Sequence, residues 1–215
     1  MKYFIANWKA NKNYQATIDW VKVFKKLYRP KQNVRVIVCP PFPFVPDLKK
    51  ELKYLENVYV GSQTISSFEK GSFTGEVTAL SLVGLVSYAI IGHSERRKNF
   101  SEKDDDLAIK VILAKKYAIE PIYCIRDEKD QSPKGVRFVA YEPVAAIGTG
   151  QNESPEKVVE MKKKLKITKE NIFIYGGSVN EKNIKDYLKT ENIDGFLIGG
   201  ASLDPERFVR ITNQA

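Results

Sequence analysis

The sequence predicts an α/β fold, a single closed barrel of eight parallel strands with helices outside it. Two observations carry this. Strand-like and helix-like runs alternate from the first residues to the last, and the residues richest in chemistry fall just after the strand-like runs. Length agrees: 215 residues are within the range of one such barrel. No linker, composition shift or low-complexity tract divides residues 1–215 into two domains.

The strand-like runs are short and rich in β-branched and aromatic residues: Tyr3–Asn7, Val34–Cys39, Val58–Gly61, Tyr88–Gly92, Ile119–Ile125, Val136–Glu142, Ile172–Tyr175 and Asp194–Ile198. Helix-like stretches are expected at about 15–28, 44–55, 78–85, 103–117, 155–165, 180–188 and 204–212. The first shows the period clearly, with Ile18, Val21 and Phe24 on one face and Lys22, Lys25 and Lys26 on another. One crossover departs from the pattern. Between the fifth and sixth strands the chain reads Arg126-Asp127-Glu128-Lys129-Asp130-Gln131-Ser132-Pro133-Lys134-Gly135, which is polar and has no apolar face to bury. The barrel is therefore expected to be shortened, with this crossover reduced to a loop and seven main helices in the outer ring. The outward faces of the fifth and sixth strands would then need cover from the helices at 103–117 and 155–165, or from another subunit.

The chain is 43% hydrophobic and 28% charged, enough to bury a core and stay in water. No apolar run approaches the roughly 20 residues of a membrane span. The N-terminal run is broken too early by Asn7 and Lys9 to serve as a signal peptide. Cys39 and Cys124 lie in apolar strands without metal-site or redox spacing, which points to a reducing, cytoplasmic setting. The net charge of +9 comes from lysines spread along helix-like segments and mixed with acids. That is the pattern of a solvated surface; a nucleic-acid partner is not expected.

Chemistry concentrates at the C-terminal ends of the strands. Glu142 ends the sixth strand, Pro143 biases it away from helix, and Gly148 and Gly150 bound the loop that follows. Ser154-Pro155-Glu156 then opens a helix. A carboxylate under such a loop suits a general base that must be cut off from water. Lys9, after the first strand, could hold a phosphate or a developing oxyanion. His93, the one histidine of the chain, stands at the fourth strand's end before a helical turn. A helix N-terminus disfavours the imidazolium, and a neutral ring can donate to a carbonyl and exchange a proton with it. Gly176-Gly177-Ser178 follows the seventh strand and Gly199-Gly200 the eighth, where barrels of this kind bind phosphate through backbone N–H groups.

Five motifs in order, Asn7-Trp8-Lys9, Gly92-His93-Ser94-Glu95-Arg96-Arg97, Tyr141-Glu142-Pro143-Val144 with Ala146-Ile147-Gly148-Thr149-Gly150, Tyr175-Gly176-Gly177-Ser178, and Asp194 to Leu203, resemble triosephosphate isomerase. The resemblance runs from the first strand to the last helix and implies a TIM barrel. It also implies interconversion of dihydroxyacetone phosphate and D-glyceraldehyde 3-phosphate through an enediolate, in glycolysis and gluconeogenesis. Glu142 would be the base and His93 the electrophile that shuttles protons between the two oxygens. Lys9 would offset the charge of phosphate and enediolate, with Asn7 beside it and Glu95 behind it. Gly148, Ser178, Gly199 and Gly200 would hold the phosphate. The family needs no metal or cofactor.

The same resemblance implies a homodimer. The loop from Gln63 to Glu76 matches the one that enters the neighbouring subunit's pocket, with Thr74 at the position that meets the partner's Asn7. Its apolar Ile65, Phe68 and Phe73 ask for a partner surface on physical grounds as well. A tetramer of two dimers becomes the expectation if the shortened crossover leaves an apolar patch. Three features depart from the family: Ala145 stands where a tryptophan is usual, Ala10 where methionine is common, and the chain is short. Two rival readings are an aldolase or other phosphate-binding barrel enzyme and a non-catalytic paralogue using its basic surface. The first, in its Schiff-base form, needs a desolvated lysine inside a strand, which no strand offers; the second predicts loss of Lys9, His93 or Glu142, and all three are present.

Overall fold

A computed structural model describes residues 1–143 and 152–215. Eight parallel strands close into a barrel in sequence order: β1 (Lys2–Asn7), β2 (Val34–Cys39), β3 (Val58–Ser62), β4 (Tyr88–Ile91), β5 (Glu120–Ile125), β6 (Phe138–Tyr141), β7 (Ile172–Tyr175) and β8 (Gly195–Ile198). The register runs Ile5 to Ile37 between β1 and β2 and closes with Ile5 opposite Leu197 of β8. Around the barrel lie α1 (Tyr14–Leu27), α2 (Val45–Leu52), α3 (Ser94–Asn99), α4 (Asp104–Lys116), α5 (Pro155–Lys164), α6 (Ile184–Leu188) and α7 (Pro205–Thr212).

Period-two alternation sorts each strand's side chains. Tyr3, Ile5, Ile37, Cys39, Ile90, Ile122, Cys124, Ala140 and Ile174 pack together inside the barrel. Phe4, Ala6, Val36, Val38, Ile91, Tyr123 and Val139 face outward under the helices. Trp20 of α1 seals the first and last units: it meets Trp8 edge-on and stacks on Phe24, and its indole N–H donates to the carbonyl of Ser202 at 3.0 Å. Of the face predicted for α1 from Ile18, Val21 and Phe24, Val21 and Phe24 are buried, together with Thr17 and Trp20, while Ile18 is half-buried.

Seven α-helices are present among the described residues, but not the seven expected. Over 78–85 the chain makes only a 3-10 turn, Leu80–Leu82. Of its apolar residues Leu82 is buried while Leu80 and Val83 are exposed, and Gly84 at φ +76 turns the backbone out of the helix. In exchange α3 forms from Ser94-Glu95-Arg96-Arg97-Lys98-Asn99, which has no apolar stripe and is held by its cap and its buried arginine. The expected helix over 180–188 shrinks to α6, preceded by a turn that the Asn180 carboxamide closes onto the N–H groups of Lys182 and Asn183.

The crossover between β5 and β6 contains no helix, as predicted. The outward side chains it should have covered are nonetheless buried: Ile125, Val136 and Val139 are each 3% exposed or less. The cover comes from the loop itself and from Leu165 and Ile167 beyond α5, which line the cleft left by the missing helix. Lys115 of α4 ties the loop down by donating to the carbonyl of Gly135 at 2.6 Å. Of the two covers the sequence suggested, the stretch 155–165 contributes through Leu165; Ile167 and the loop supply the rest, and these side chains are buried within one chain without a second subunit.

One buried charge cluster braces the site side of the barrel. The Glu102 side chain is 7% exposed, and its Oε1 accepts from Lys110 Nζ and Arg96 Nε, both at 2.6 Å. Lys110 also donates to Thr64 Oγ1 at 3.2 Å, tying α4 to the loop after β3. Burial pushes the Glu102 carboxyl up, but the hydrogen bonds from Lys110 and Arg96 outweigh it and hold the group below the ordinary carboxylate range. Such a carboxylate contributes stability above its unfolded pKa and loses it as pH falls through the folded value. Glu102→Gln is therefore expected to cost about 3 kcal/mol near neutral pH, because Lys110 stays buried without its counter-charge. Below the ordinary carboxylate pKa of 4.5 the gap to the unsubstituted protein should narrow. Urea midpoints of both proteins near neutral pH and at about pH 4 check this.

Candidate active site

The site lies at the C-terminal mouth of the barrel and is built on a buried carboxylate. Glu142 follows directly on β6, its backbone N–H donating to the carbonyl of Ile125 at 2.8 Å. Only 1% of the residue is exposed. Oε2 accepts the backbone N–H of Ser94 at 2.9 Å, and Oε1 stands 3.0 Å from Nε2 of His93. Gly176 makes the space: a Cβ there would lie 3.0 Å from Cγ of Glu142 and 3.3 Å from the carbonyl oxygen of Tyr141.

His93 is 5% exposed and caps α3, its Nδ1 accepting the N–H of Glu95 at 3.2 Å. That bond requires a lone pair on Nδ1, so the neutral ring carries its proton on Nε2, pointing at Glu142. Two influences compete over a second proton. Burial opposes charging the ring, and the Glu142 carboxylate facing it more than offsets that, lifting His93 above its ordinary range. The Glu95 N–H works the other way, since imidazolium would lose this bond. The neutral ring expected from the helix end alone thus meets a carboxylate that favours the cation. Glu142 itself is pushed up by burial and pulled further down by His93, by the Ser94 N–H and by Lys9, so it is held ionised.

Glu95 links this pair to the other side of the mouth. One of its oxygens lies 3.7 Å from His93 Nδ1, and the other accepts from Lys9 Nζ at 2.5 Å. Lys9 sits in the left-handed region at φ +53, and its N–H donates to Asn7 Oδ1 at 3.1 Å. The five residues expected to be catalytic therefore form one connected chain: Asn7, Lys9, Glu95, His93, Glu142. Asn7, Lys9, His93 and Glu142 line a cavity of about 290 Å³, which Ser178, Gly199 and Gly200 close on the opposite side. Glu95 stands behind them, lining the neighbouring cleft. A Cβ on Gly200 would meet nothing within 4 Å, and one on Gly199 would touch Lys9 Cε at 3.4 Å. The 3-10 turn Gly200–Ser202 starts here, and the opening N–H groups of such a turn lack partners within it. Gly148, the remaining expected phosphate contact, lies outside the described residues, as does Ala145.

Three features were not read from the sequence. Gln63 donates to the carbonyls of Lys9 at 2.9 Å and Cys39 at 3.0 Å, fixing the strained Lys9 turn to the end of β2. Its position directly after β3, on the same mouth as the other site residues, was the available signal. Arg207 reaches the cavity wall from α7 but is held by Glu181 in a two-point pair at 2.9 and 3.0 Å. Beyond the glycine loop, Glu153 is held by three tyrosines. Tyr175 Oη accepts its N–H at 2.9 Å, Tyr141 donates to its carboxylate at 3.1 Å, and Tyr187 donates to its carbonyl. The predicted cap of α5 is present, with Ser154 Oγ accepting the N–H of Lys157 and Pro155 at the first helical position.

Comparison with known proteins decides the family. A family model described as Triosephosphate isomerase matches residues 2–215. The chain belongs to the triosephosphate isomerase family. It is similar to the triosephosphate isomerase of Mesomycoplasma hyopneumoniae strain 7448, at 37% identity over 240 aligned positions covering 98% of each chain. It is similar also to those of Aquifex aeolicus strain VF5, at 34% identity, and Dictyoglomus turgidum, at 35%, each alignment covering 96% of both chains. These alignments run over 239 and 243 positions against 215 residues, so relatives carry segments that this chain lacks.

With one histidine in the chain, the contest over its proton can be read directly. In the empty protein the His93 ring is expected to titrate above the ordinary 6.5. A group raised in the folded state stabilises the fold fully below its unfolded pKa and loses that contribution as pH rises through the folded value. In Glu142→Gln the pull of that carboxylate is gone while burial, the Glu95 N–H and the weaker pull of the Glu95 carboxylate remain, so the titration should move down from its raised position. Nitrogen-detected NMR of the ring across pH measures both; an unmoved midpoint would mean that Glu142 does not set the charge of His93.

Proposed function

We propose that residues 1–215 form one catalytic barrel domain that interconverts dihydroxyacetone phosphate and D-glyceraldehyde 3-phosphate. The observation that carries this reading is the connected chain from Lys9 through Glu95 and His93 to Glu142, opening on one cavity whose far wall is Ser178, Gly199 and Gly200. The far wall takes the phosphate through backbone N–H groups, joined by Gly148. Lys9 supplies the positive charge between the phosphate and the reacting carbons, and Asn7 and Gln63 hold the turn that presents it.

The reaction then follows from an exchange of hydrogen bonds. Substrate entering the cavity takes the Nε2–H of His93 onto its carbonyl oxygen, in place of Glu142. Freed from the imidazole, the carboxylate removes the carbon-bound proton beside that carbonyl, and negative charge develops on the oxygen that His93 and Lys9 face. Separating the pair also removes the carboxylate's pull on the ring, leaving the helix end to favour neutral imidazole, which can pass a proton between the two oxygens. The protonated Glu142 returns its proton to the neighbouring carbon. The glycine-bounded segment after Pro143, expected to keep water from the enediolate, lies outside the described residues. No metal or cofactor enters these steps. In cells the reaction serves glycolysis and gluconeogenesis, and a cytoplasmic setting fits both it and the buried, free Cys39 and Cys124. Among the described residues no helix is long and apolar enough to cross a membrane.

The working form in this reading is a homodimer. Phe68 and Phe73, stacked with ring centroids 3.7 Å apart, are 43% and 40% exposed on the loop after β3. Beside the site a cleft lined by Phe42, Pro43, Glu95 and Phe100 offers the partner's loop an apolar seat. Burial of Ile125, Val136 and Val139 removes the reason for expecting a tetramer. Light scattering over a concentration series is expected to give twice the chain mass; a stable tetramer at low micromolar concentration would overturn the dimer.

A coupled assay with D-glyceraldehyde 3-phosphate tests the activity. Glu142→Asp should lower kcat about a hundredfold and KM much less, because retreat by about 1 Å misplaces the base. Near-normal turnover would remove Glu142 from that role. Lys9→Met should impair both binding and turnover, and unchanged affinity for a phosphate-bearing inhibitor would take Lys9 out of the site. His93→Gln should still bind substrate but turn over slowly, with proton exchange between the two carbonyl positions impaired.

A further inference from the structure

The loop that replaces the missing crossover helix reaches back toward the reacting pair. Asp130 turns its side chain, 5% exposed, onto Arg126, accepting from the backbone N–H at 2.8 Å and from Nε and Nη2 at 2.8 and 2.7 Å. Its Oδ1 also stands 4.0 Å from Nη1 of Arg97. Arg97 belongs to α3, the helix His93 caps, and its side chain is 4% exposed. Nε donates to the carbonyl of Gly92 at 3.0 Å, and Nη2 reaches the carbonyl of Cys124 at 3.4 Å and the hydroxyl of Tyr123 at 3.3 Å. A Cβ on Gly92 would be 3.3 Å from Nη2, so the guanidinium lies flat against the residue that leads into His93. It is wedged between the end of β4, which carries His93, and the end of β5, whose Ile125 carbonyl anchors Glu142.

We propose that Asp130 is a positioning residue for the isomerisation: it seats Arg97, and through Arg97 it fixes the Gly92–His93–Ser94 backbone that aims His93 and Glu142. The proposal rests on the reading of His93 and Glu142 as the reacting pair. The physical reason is a choice between two counter-charges. Arg97 Nη1 donates to Asp104 at 2.6 Å, but that carboxylate is 75% exposed and its field is shared with water. Asp130 is the buried partner, and a buried carboxylate acts on a buried guanidinium with far less screening. Without its charge, Arg97 is drawn outward to Asp104 and loosens its hold on the carbonyls of Gly92 and Cys124. Both the Ser94 N–H that steadies Glu142 and the His93 ring then lose their backing. The phosphate end of the site stands on β1, β7 and β8, across the barrel, and keeps its geometry.

Asp130→Asn keeps the shape and one acceptor while removing the charge. It is expected to lower kcat about tenfold, as sub-ångström misplacement of reacting groups does, with KM within about twofold. The ring signals of His93 should shift as well. Glu128→Gln, in the same loop and exposed, should match the unsubstituted protein in kcat, KM and His93 signals. All assays run where circular dichroism and urea titration show the variants folded, and Asp130→Ala, if folded, should resemble Asp130→Asn. A folded Asp130→Asn protein with unchanged kcat overturns the inference. So does a fall in kcat matched by an equal rise in KM with the His93 signals unmoved. An unsubstituted protein inactive on triose phosphates would overturn the functional reading instead, and the His93 signals would still decide whether Asp130 seats Arg97.

Discussion

A carboxylate with 1% of its residue surface exposed must be held ionised by its neighbours, and the arrangement of this molecule follows from how that is done for Glu142. The Ser94 N–H can reach it only because α3 starts where it does, immediately after β4. The start of α3 is fixed in turn by Gly92, whose φ of +75 few other residues adopt, and by a histidine side chain serving as the cap. Space for the carboxylate depends on Gly176 across the mouth, and its backbone on the end of β5. Four strand ends are therefore tuned to one side chain. The preference of α3 for forming at all, from a hexapeptide with no apolar stripe, lies in those same contacts rather than in its own sequence.

The charges around Glu142 act as one group. Lys9 is paired with Glu95, Glu95 is within reach of His93, and His93 faces Glu142, so a proton or anion arriving anywhere along the row is felt along its length. An anionic substrate placed beside Lys9 draws on a cation already partly neutralised, which limits how tightly the resting site can close on itself. The His93–Glu142 contact has the same character. Under the proposed function it is a contact that substrate would displace, so part of the binding energy would go into releasing Glu142.

The strands were legible because each is a short run of β-branched and aromatic residues; the β2 and β7 boundaries coincide with the sequence reading, and the other strands differ by a residue or two at an end. Glu142, His93, Lys9 and the glycine pairs stood out because each sits at a strand end, where side-chain direction is set by the barrel rather than by local contacts. Elements decided by packing or by caps were harder to read. The stretch 78–85 has helical spacing of apolar residues, yet Leu80 and Val83 stay exposed and only Ala79, Leu82 and in part Leu85 reach the core. The arginine at position 97 reads as one more surface cation in a basic chain, and nothing local distinguishes it from Arg96 or Lys98. Its buried place is made by acceptors at two strand ends, the Gly92 carbonyl and, 26 and 27 residues away, the Tyr123 hydroxyl and the Cys124 carbonyl. Gln63 was obscure for a similar reason, since its hydrogen bonds join carbonyls from two other strand ends.

The crossover between β5 and β6 shows what a barrel requires of the segments that wrap it. A helix there normally supplies an apolar face, and its absence leaves Ile125, Val136 and Val139 to be covered by a polar loop and by residues following α5. Apolar cover of that kind is undirected, and other side chains can slide into the gap. A loop without helical hydrogen bonds does need anchoring, because its backbone has no regular ladder to order it. Here the anchors are charged: the buried Asp130 closes the loop's first turn onto Arg126 and faces Arg97, while the exposed Lys115 fixes its end at Gly135. Charged anchors in a dry setting are directional and leave their partners destabilised when broken. The buried contact of this loop is thus specific where apolar cover is not, and it stands against Arg97, which holds the Gly92 carbonyl just before His93.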